Sequence, residues 1–307
     1  MLKAFDVYSY GVVSSSRLYR IRGAFPTAEG YAEIVDAQCL AGGEATNSSI
    51  VLARLGARVR LDGNWLGDDE NGRRTKALLS DYQIDTARLP LRKDYKGVQE
   101  VVFSADGTRT IFGTYGSLLD QAEWNSPREE DVTRAKVVCL DPYFAKPASK
   151  VAEVAFDAGV PVVVVDCQHD NPLLKHSSAV VIAESYLREN YADHDPANIF
   201  SEYQAATSGL VVFTFGDQPT WYARPKNPVK HFQPFAIDPV DTTGGGDSFR
   251  AGIVFGYLEG WNDDQMVEFA SAVAAINCSR FPGVLDSPTM QEVSDFIVAN
   301  KSRDSVE

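Results

Sequence analysis

Short apolar runs alternate with amphipathic segments over most of the chain. Runs such as Val160–Asp166 hold a continuous series of valines, which is typical of parallel strands that are buried on both faces. The strands predicted in this way are Phe5–Val13, Arg58–Gly63, Val137–Asp141, Val160–Asp166, Ala179–Ala183 and Leu210–Phe215. The segments between and after them have helical periodicity, which predicts an α/β fold with a doubly wound, mainly parallel sheet and right-handed crossovers.

The predicted helices fall into two groups. One helix between strands ends at Leu55. The others cover Asp69–Tyr82, Ala148–Ala158, Glu184–Tyr191 and Pro196–Thr207. The last third of the chain is mostly helical, over residues 246–260, 263–280 and 288–300.

A second group of predicted strands is too polar to fit inside such a core. Its members are Arg17–Arg22, Tyr31–Cys39, Gly97–Ser104 and Thr108–Thr114. The last two flank Asp106-Gly107, and an Asp-Gly pair between two strands is a strong hairpin signal. We therefore expect a small separate β-sheet, a lid over a cleft, inserted at about residues 14–39 and 96–116 into a single domain of residues 1–307.

Charge and cysteine content narrow the function classes. With 29 Lys and Arg against 42 Asp and Glu, the formal net charge is −13, which argues against general binding of nucleic acids or anionic membranes. The cysteines lack the spacing of a zinc site, and we expect them to be reduced. No apolar run is long enough to span a membrane, and residues 1–6 do not have a signal-peptide pattern. We expect a cytoplasmic protein.

The segment of residues 238–249 carries the most specific chemistry. Gly244, Gly245 and Gly246 precede a predicted helix, and consecutive glycines let backbone N–H groups point at one spot beside a helix N-terminus. Such an anion hole suits a phosphate. Asp247 would repel a resting phosphate, so we interpret it as a base that takes a proton from an attacking hydroxyl. An ordinary helix N-cap is the alternative.

Gly42-Gly43 has the same relation to a predicted helix. Asn47 would lie in the first turn of that helix, where its amide can donate to and accept from a polyol. A simple capped helix start is the alternative here. The chain contains neither a P-loop nor a dinucleotide-binding glycine motif, which excludes those two nucleotide-binding classes.

Together these segments resemble the ribokinase/PfkB family of small-molecule kinases over about residues 5–300. Two blocks carry the resemblance, residues 42–72 (Gly-Gly…Asn…Leu-Ala-Arg-Leu-Gly…Leu-Gly-Asp-Asp-Glu-Asn-Gly) and residues 241–252 (Asp-Thr-Thr-Gly-Gly-Gly-Asp-Ser-Phe…Ala-Gly). The suggested branch is ketohexokinase-like or sulfofructose-kinase-like. The family implies transfer of phosphate from ATP, with Mg²⁺, to a hydroxyl of a sugar-like substrate. Several members also bind a monovalent cation such as K⁺, and in some relatives the lid forms a homodimer interface.

The resemblance assigns roles residue by residue. Asp247 is the catalytic base, and the amides of Gly244, Gly245 and Gly246 form the anion hole. The residues expected at the sugar are Gly42, Gly43, Asn47 and Arg109, and those on the nucleotide side are Thr214, Gly216, Asn277 and Cys278. Asp241 and Thr243 are expected near the monovalent cation. Asp141 ends a predicted core strand, a usual ligand position in open α/β sheets, and we expect it to accept a substrate hydroxyl.

The chain departs from the family pattern at several positions. Ser16 stands where many members have an aspartate that binds two sugar hydroxyls. Ala183-Glu184-Ser185-Tyr186 replaces an Asn-x-x-Glu motif linked to Mg²⁺, for which Glu184 would compensate in part. Gly245 replaces a usual alanine, a mild change. Arg250 replaces a small or polar residue, and the sequence leaves open whether it faces the cleft or the outer surface.

These departures shape the hypotheses. The leading one is an active ATP-dependent sugar kinase. Ser16 lacks the negative charge of the usual aspartate, and several arginines could add positive charge near the lid. This suggests an acidic or phosphorylated sugar as a refinement. The arginines are Arg17, Arg20, Arg22, Arg109 and Arg250. The alternatives are a catalytically weak or inactive, regulatory pseudokinase that binds sugar or nucleotide, and a nucleoside kinase with Tyr115 and Phe112 as weak candidates for an aromatic slot.

Overall fold

The computed structural model describes residues 4–304, so part of the segment considered for a signal peptide, residues 1–3, lies outside it. The strands are β1 (Val7–Gly11), β2 (Ser14–Ile21), β3 (Ile34–Gly42), β4 (Val59–Gly63), β5 (Leu66–Gly67), β6 (Leu91–Arg92), β7 (Val98–Ala105), β8 (Thr108–Gly113), β9 (Val137–Leu140), β10 (Val162–Val165), β11 (Ala179–Ala183), β12 (Leu210–Phe215), β13 (Gln218–Ala223) and β14 (Lys230–Phe232). The helices are α1 (Glu44–Arg54), α2 (Glu70–Asp81), α3 (Gly116–Gln121), α4 (Glu129–Thr133), α5 (Ala145–Asp157), α6 (Glu184–Asn190), α7 (Pro196–Ala206), α8 (Gly245–Glu259), α9 (Asp263–Cys278) and α10 (Met290–Asp304).

The central sheet confirms the predicted α/β architecture. Its strand order is β14-β13-β12-β11-β10-β9-β1-β4, and the strands from β12 to β4 are parallel. The sequence analysis missed β13 and β14, which pair antiparallel at one edge. Edge strands are covered on fewer sides, so they lack the continuous apolar runs by which the central strands were found.

The core lies on both faces of this sheet. In β10, Val163 packs into one apolar cluster, whereas Val162 and Val164 pack into the other. The first cluster includes residues of α1, α8 and α9, and the second includes residues of α5 and α7. Burial on both faces explains why β10 is a run of four valines, with no polar side chain between them.

The predicted lid is a separate four-stranded sheet of order β3-β2-β7-β8. The hairpin between β7 and β8 turns at Asp106 and Gly107, whose φ angles are 46° and 72°. Positive φ at both central residues is the requirement of a type I′ turn, which glycine and aspartate tolerate. The division into one domain with a lid inserted at about residues 14–39 and 96–116 stays a prediction.

The two faces of the lid have different surroundings. On one face, Leu18, Leu40 and Val102 pack against Phe281 and Leu285 of the main body. The opposite face carries an aromatic cluster of Tyr19, Phe25, Phe103 and Phe112, in which Phe112 is 54% exposed. A homodimer through the lid stays a prediction.

Between residues 4 and 304, none of the helices combines the length and the apolar character needed to cross a membrane.

Candidate active site

The glycine segment forms the start of helix α8, as predicted. Gly244 precedes the helix with a φ of 72°, and the N–H groups of Gly245 and Ser248 bond to the carbonyls of Thr242 and Gly244 at 3.2 and 2.8 Å. Gly246 is exposed and has open space beyond its Cα. The first turn of a long helix therefore faces an open cleft, the arrangement that favours an anion.

A second helix start faces the first one. Helix α1 begins after Gly43, whose φ is 96° and whose Cα lies so close to the Val12 carbonyl that a side chain would collide with it. The Asn47 side chain in its first turn donates a 2.8 Å hydrogen bond from Nδ2 to Oδ2 of Asp247. The two segments singled out separately in the sequence thus meet at one carboxylate, 200 residues apart.

Asp141 lies beneath these helix starts rather than in the cleft. Its side chain is fully buried, and Oδ2 accepts hydrogen bonds from the N–H groups of Val12 and Ala45 at 2.9 and 3.0 Å. Oδ1 accepts a 2.7 Å hydrogen bond from Arg250. The structure therefore gives Asp141 an internal role in place of the substrate contact that we predicted.

Arg250 lies neither in the cleft nor on the outer surface, the two alternatives that the sequence left open. It is fully buried where α8 packs against α1 and β9. Nε donates to Ser48 Oγ at 3.0 Å, and Nη1 donates to Asp141. Nη2 lies 3.9 Å from Oδ1 of Asp247.

The environment of Asp247 shifts its titration towards neutral pH. Burial raises the pKa of the carboxyl from 3.8 to about 6, because a low-dielectric setting disfavours the charged form. The charge of Arg250 and the hydrogen bond from Asn47 lower the pKa, and the charge of Asp141 raises it. A carboxylate poised in this way suits proton abstraction near neutral pH.

The tip of the lid contacts the glycine segment. Arg109 donates from Nη1 to the Thr242 carbonyl at 3.0 Å, and Thr242 Oγ1 donates to the Gly107 carbonyl at 3.3 Å. Arg109 is exposed, yet its charge is close enough to lower the pKa of Asp247. This places a guanidinium where it can meet an anion held by the first turn of α8.

The end of α9 supports the same segment from the other side. Asn277 is fully buried and donates to the Thr243 carbonyl at 3.4 Å. The Cys278 carbonyl accepts from the N–H groups of Val240 and Asp241 at 2.8 and 3.1 Å. Gly245 approaches Cys278 so closely that the Cβ of an alanine would lie 2.9 Å from Sγ. This close contact explains why a glycine occupies the position at which the family usually has an alanine.

The remaining predicted residues lie around the carboxyl edge of the central sheet. Thr214 is near the end of β12, and Gly216 forms the following turn with a φ of 63°. Glu184 is exposed and opens helix α6 after β11. Asp241 is fully buried with Oδ2 lacking a hydrogen-bond partner, and Thr243 Oγ1 is likewise buried without one.

The sequence analysis missed two carboxylates at this edge. Asp166 follows β10 with a φ of 34°, strained for a non-glycine residue; it accepts a 2.8 Å hydrogen bond from the Ala183 N–H, and burial raises its pKa to about 6. Glu44 accepts a 2.7 Å hydrogen bond from Tyr143, and burial raises its pKa. Asp166 was detectable as a carboxylate at the end of a core strand, the signal applied to Asp141.

A third missed carboxylate lies beside Ser16. Ser16 and Glu100 are register partners on β2 and β7. Ser14 donates to Glu100 Oε2 at 2.6 Å, and Ser16 also donates to that oxygen. A side chain at Gly42 would collide with this carboxylate, so Glu100 lies against the turn that begins α1. Strand pairing made the contact, and no local sequence signal indicated it.

Comparisons with known proteins agree with this architecture and site. The chain belongs to the pfkB family of carbohydrate kinases, whose family model matches residues 21–290. It is therefore a sugar kinase, a phosphotransferase with an alcohol group as acceptor, which confirms the predicted family and enzyme class.

Individual relatives are more distant. The ribokinase of Bacillus subtilis is 26% identical over 282 residues, covering 85% of this chain and 88% of that protein. The ATP-dependent ribose-1-phosphate kinase of Halopiger xanaduensis is 27% identical over 281 residues, covering 89% and 91%. The structure of Arabidopsis thaliana ribokinase complexed with ribose and ATP has a TM-score of 0.79 at 20% identity, covering 96% of this chain and 99% of that one. The last likeness shows the shared fold.

The conformation at Gly244 generates a matched pair of variants. We expect Gly244→Ala to lower the free energy of unfolding by about 1–3 kcal/mol, because its positive φ is strained for alanine and the new Cβ would collide with Val284. Gly246→Ala is the control, since nothing lies within 4 Å of its added Cβ, and we expect a change within about 0.5 kcal/mol. Urea unfolding measures both; equal losses would contradict the conformational assignment.

Proposed function

We propose that the protein transfers the γ-phosphoryl group of ATP to a hydroxyl of a sugar, with Asp247 as the general base. The observation that carries the proposal is the meeting of two helix N-termini at one carboxylate, where Asn47 orients Asp247 across the cleft. ATP as the donor is supported by the relatives, since one is named as ATP-dependent and another was solved with ATP.

The residues divide the reaction between them. The substrate hydroxyl gives its proton to Asp247 as its oxygen attacks the γ-phosphorus, and the bond from that phosphorus to the bridging oxygen of ADP breaks. The amides of Gly244 and Gly246 stabilise negative charge on the transferring group. The third predicted donor, the N–H of Gly245, bonds to the Thr242 carbonyl in this structure and would have to leave it to join them. Arg109 adds a positive charge from the lid, close to Thr242. Closure of the lid would exclude water from this step.

The expected cations fit the side chains of this edge. When bound, Mg²⁺ neutralises phosphate charge; Asp166 and Glu184, at the ends of neighbouring strands, are the carboxylates that would hold it directly or through water. No group of three or more His, Cys, Asp or Glu that could bind a metal by itself occurs in residues 4–304. K⁺ would bind near Asp241 and Thr243, whose buried, unpartnered oxygens suit a hard cation.

The lid argues for a neutral polyhydroxy substrate rather than an anionic one. Arg20 and Arg22 lie 3.9 and 3.6 Å from acidic side chains of the lid itself. Arg17 lines the same cavity as Ser16 and Glu100, but its side chain leaves β2 on the face opposite to Ser16. Glu100 adds a carboxylate beside Gly42, on the face that packs towards the main body. A carboxylate accepts hydroxyl hydrogen bonds strongly and repels a second anion.

The nucleoside-kinase alternative gains no support from Phe112. Its ring belongs to the aromatic cluster on the lid face opposite to Glu100. Phe112 lines the same cavity as Ser16 and Glu100, but its ring is already in contact with Phe25 and Phe103.

Substitution of the base tests the proposed activity. We expect Asp247→Asn to lower kcat about 10²–10⁴-fold, since a positioned general base contributes that much, with ATP binding and melting temperature retained. The measurement is ATP consumption with Mg²⁺ and K⁺ against neutral ketoses, aldoses, nucleosides and acidic sugars. Activity that survives in the variant would contradict the assigned base. ATP binding without turnover on any acceptor would indicate a binding protein.

The substrate class is tested at Glu100. We expect Glu100→Gln to raise KM for a neutral sugar about tenfold or more, because a hydrogen bond to a charged group contributes roughly 1.5–3 kcal/mol. Glu33→Gln is the matched control, since it removes the same charge from an exposed carboxylate that pairs with Arg22 away from this cavity. If the two variants have the same KM, or if acidic sugars are the better substrates of the unaltered protein, the neutral-substrate assignment is wrong.

The monovalent cation is tested at Asp241. We expect K⁺ to stimulate turnover more than Li⁺, and Asp241→Asn to remove most of that stimulation, since the amide lacks the negative charge of the carboxylate. The measurement is the initial rate against K⁺ concentration at constant ionic strength. Identical rates with both cations, or full stimulation in the variant, would contradict a K⁺ site.

A further inference from the structure

Several carboxylates converge on one buried guanidinium. The charges of Asp141, Asp247 and Glu44 all act on Arg250, which is itself fully buried. Burial of a charge is costly unless it is paired. Pairing with Asp141 alone would satisfy the charge of Arg250. The guanidinium nevertheless also lies close to the carboxyl groups of Asp247 and Glu44, so a second role has to be considered.

The bonds of Arg250 assign each of its nitrogens a different surrounding. Nε and Nη1 are fixed by Ser48 and Asp141. Nη2 is buried without a hydrogen-bond partner, and it is the nitrogen that lies 3.9 Å from Oδ1 of Asp247. The first two bonds hold the guanidinium plane, so its third nitrogen is aimed at the candidate base from below.

That distance allows attraction without a hydrogen bond. It exceeds the usual range for an N–H···O bond, whereas Coulomb attraction at about 4 Å remains strong in a buried setting. The hydrogen bond from Asn47 goes to Oδ2 of Asp247. The Asn47 amide and the Arg250 guanidinium thus act on different oxygens of the Asp247 carboxylate.

We propose that Arg250 is a positioning residue for the phosphoryl transfer: anchored by Asp141 and Ser48, it keeps Asp247 ionised as a base without forming a hydrogen bond to it. This inference rests on the proposed function and assigns a role to a residue whose placement the sequence left open. Arg109 also faces Asp247 but is exposed on the lid, so solvent screens its charge. Arg250 supplies a permanent, unscreened charge.

The other groups around Asp247 define the controls. The carboxyl groups of Asp141, from the end of β9, and Glu44, from α1, lie nearby, and burial raises the pKa of Glu44. Asn47 from α1 is neutral, and Arg109 from β8 is positive. Cys139 from β9 is also nearby, but burial raises its pKa to about 11 and keeps it neutral. The charges of Arg250 and Arg109 also lower the pKa of Asp166, at the end of β10.

The test separates the electrostatic role from the structural one. Arg250→Gln alone leaves Asp141 buried without its cation and is expected to unfold more easily. The double variant Asp141→Asn/Arg250→Gln removes both charges and retains amides that can bond to each other, so it is expected to fold. Asp141→Asn alone keeps the cation and removes a negative neighbour of Asp247.

The readout is the ¹³C resonance of the Asp247 carboxyl during a pH titration, assigned by its loss in Asp247→Asn. We expect the midpoint to lie near pH 6 in the unaltered protein. It should be higher by about one unit or more in the double variant than in Asp141→Asn, because these two variants differ only in the charge of Arg250. It should fall in Asp141→Asn, because a repulsive charge is lost. Where D-ribose or D-fructose is turned over, the acidic limb of kcat/KM should move in the same directions.

The outcomes are distinct. A midpoint that is higher in the double variant than in Asp141→Asn supports the proposal. Equal midpoints in these two folded variants overturn it and leave Arg250 as a structural partner of Asp141. A higher midpoint without turnover on any acceptor supports the electrostatic placement while overturning the proposed phosphoryl transfer, so the two proposals fail separately.

Discussion

The carboxylate of Asp141 is the contact on which the arrangement of the site depends. It accepts hydrogen bonds from Val12, just after β1, and from Ala45 in the first turn of α1, and it pairs with Arg250 of α8. Three segments that are distant in sequence are therefore joined at one buried point. A buried carboxylate that lost one of these partners would be strongly destabilising, so the helix starts above it are held in one relation. The geometry of the candidate active site is a consequence of that internal network.

Electrostatics then decides what the helix starts can do. Burial raises the pKa values of Asp247, Asp166 and Glu44, and without positive charge nearby these carboxyls would tend to be protonated. Arg250 beneath the cleft and Arg109 above it oppose that tendency at Asp247. The pKa of Asp247, the proposed base, is thus set by burial, which raises it, and by nearby positive charge, which lowers it.

The lid shows how strand pairing supplies chemistry that no single segment contains. Ser16 by itself lacks the acceptor that the family pattern places there. Its register partner Glu100 brings a carboxylate to the same spot, and Gly42 leaves the room that this carboxylate needs. The alternation of side chains along a strand also sends Tyr19 and Phe103 to the opposite face of the lid, where their rings stack.

The sequence by itself determined the fold class, the strands of the parallel sheet, the lid hairpin at Asp106-Gly107 and the two glycine segments. Each of these depends on local pattern: apolar runs buried on both faces, turn residues with positive φ, and glycines before a helix. Only the tertiary structure decided that Asp141 is buried in the interior, that Arg250 lies beneath the carboxyl group of Asp247, and that Glu100 lies beside Ser16. Those roles depend on which distant side chains become neighbours and which become buried, and burial and charge pairing are properties of the packed molecule rather than of any segment of it.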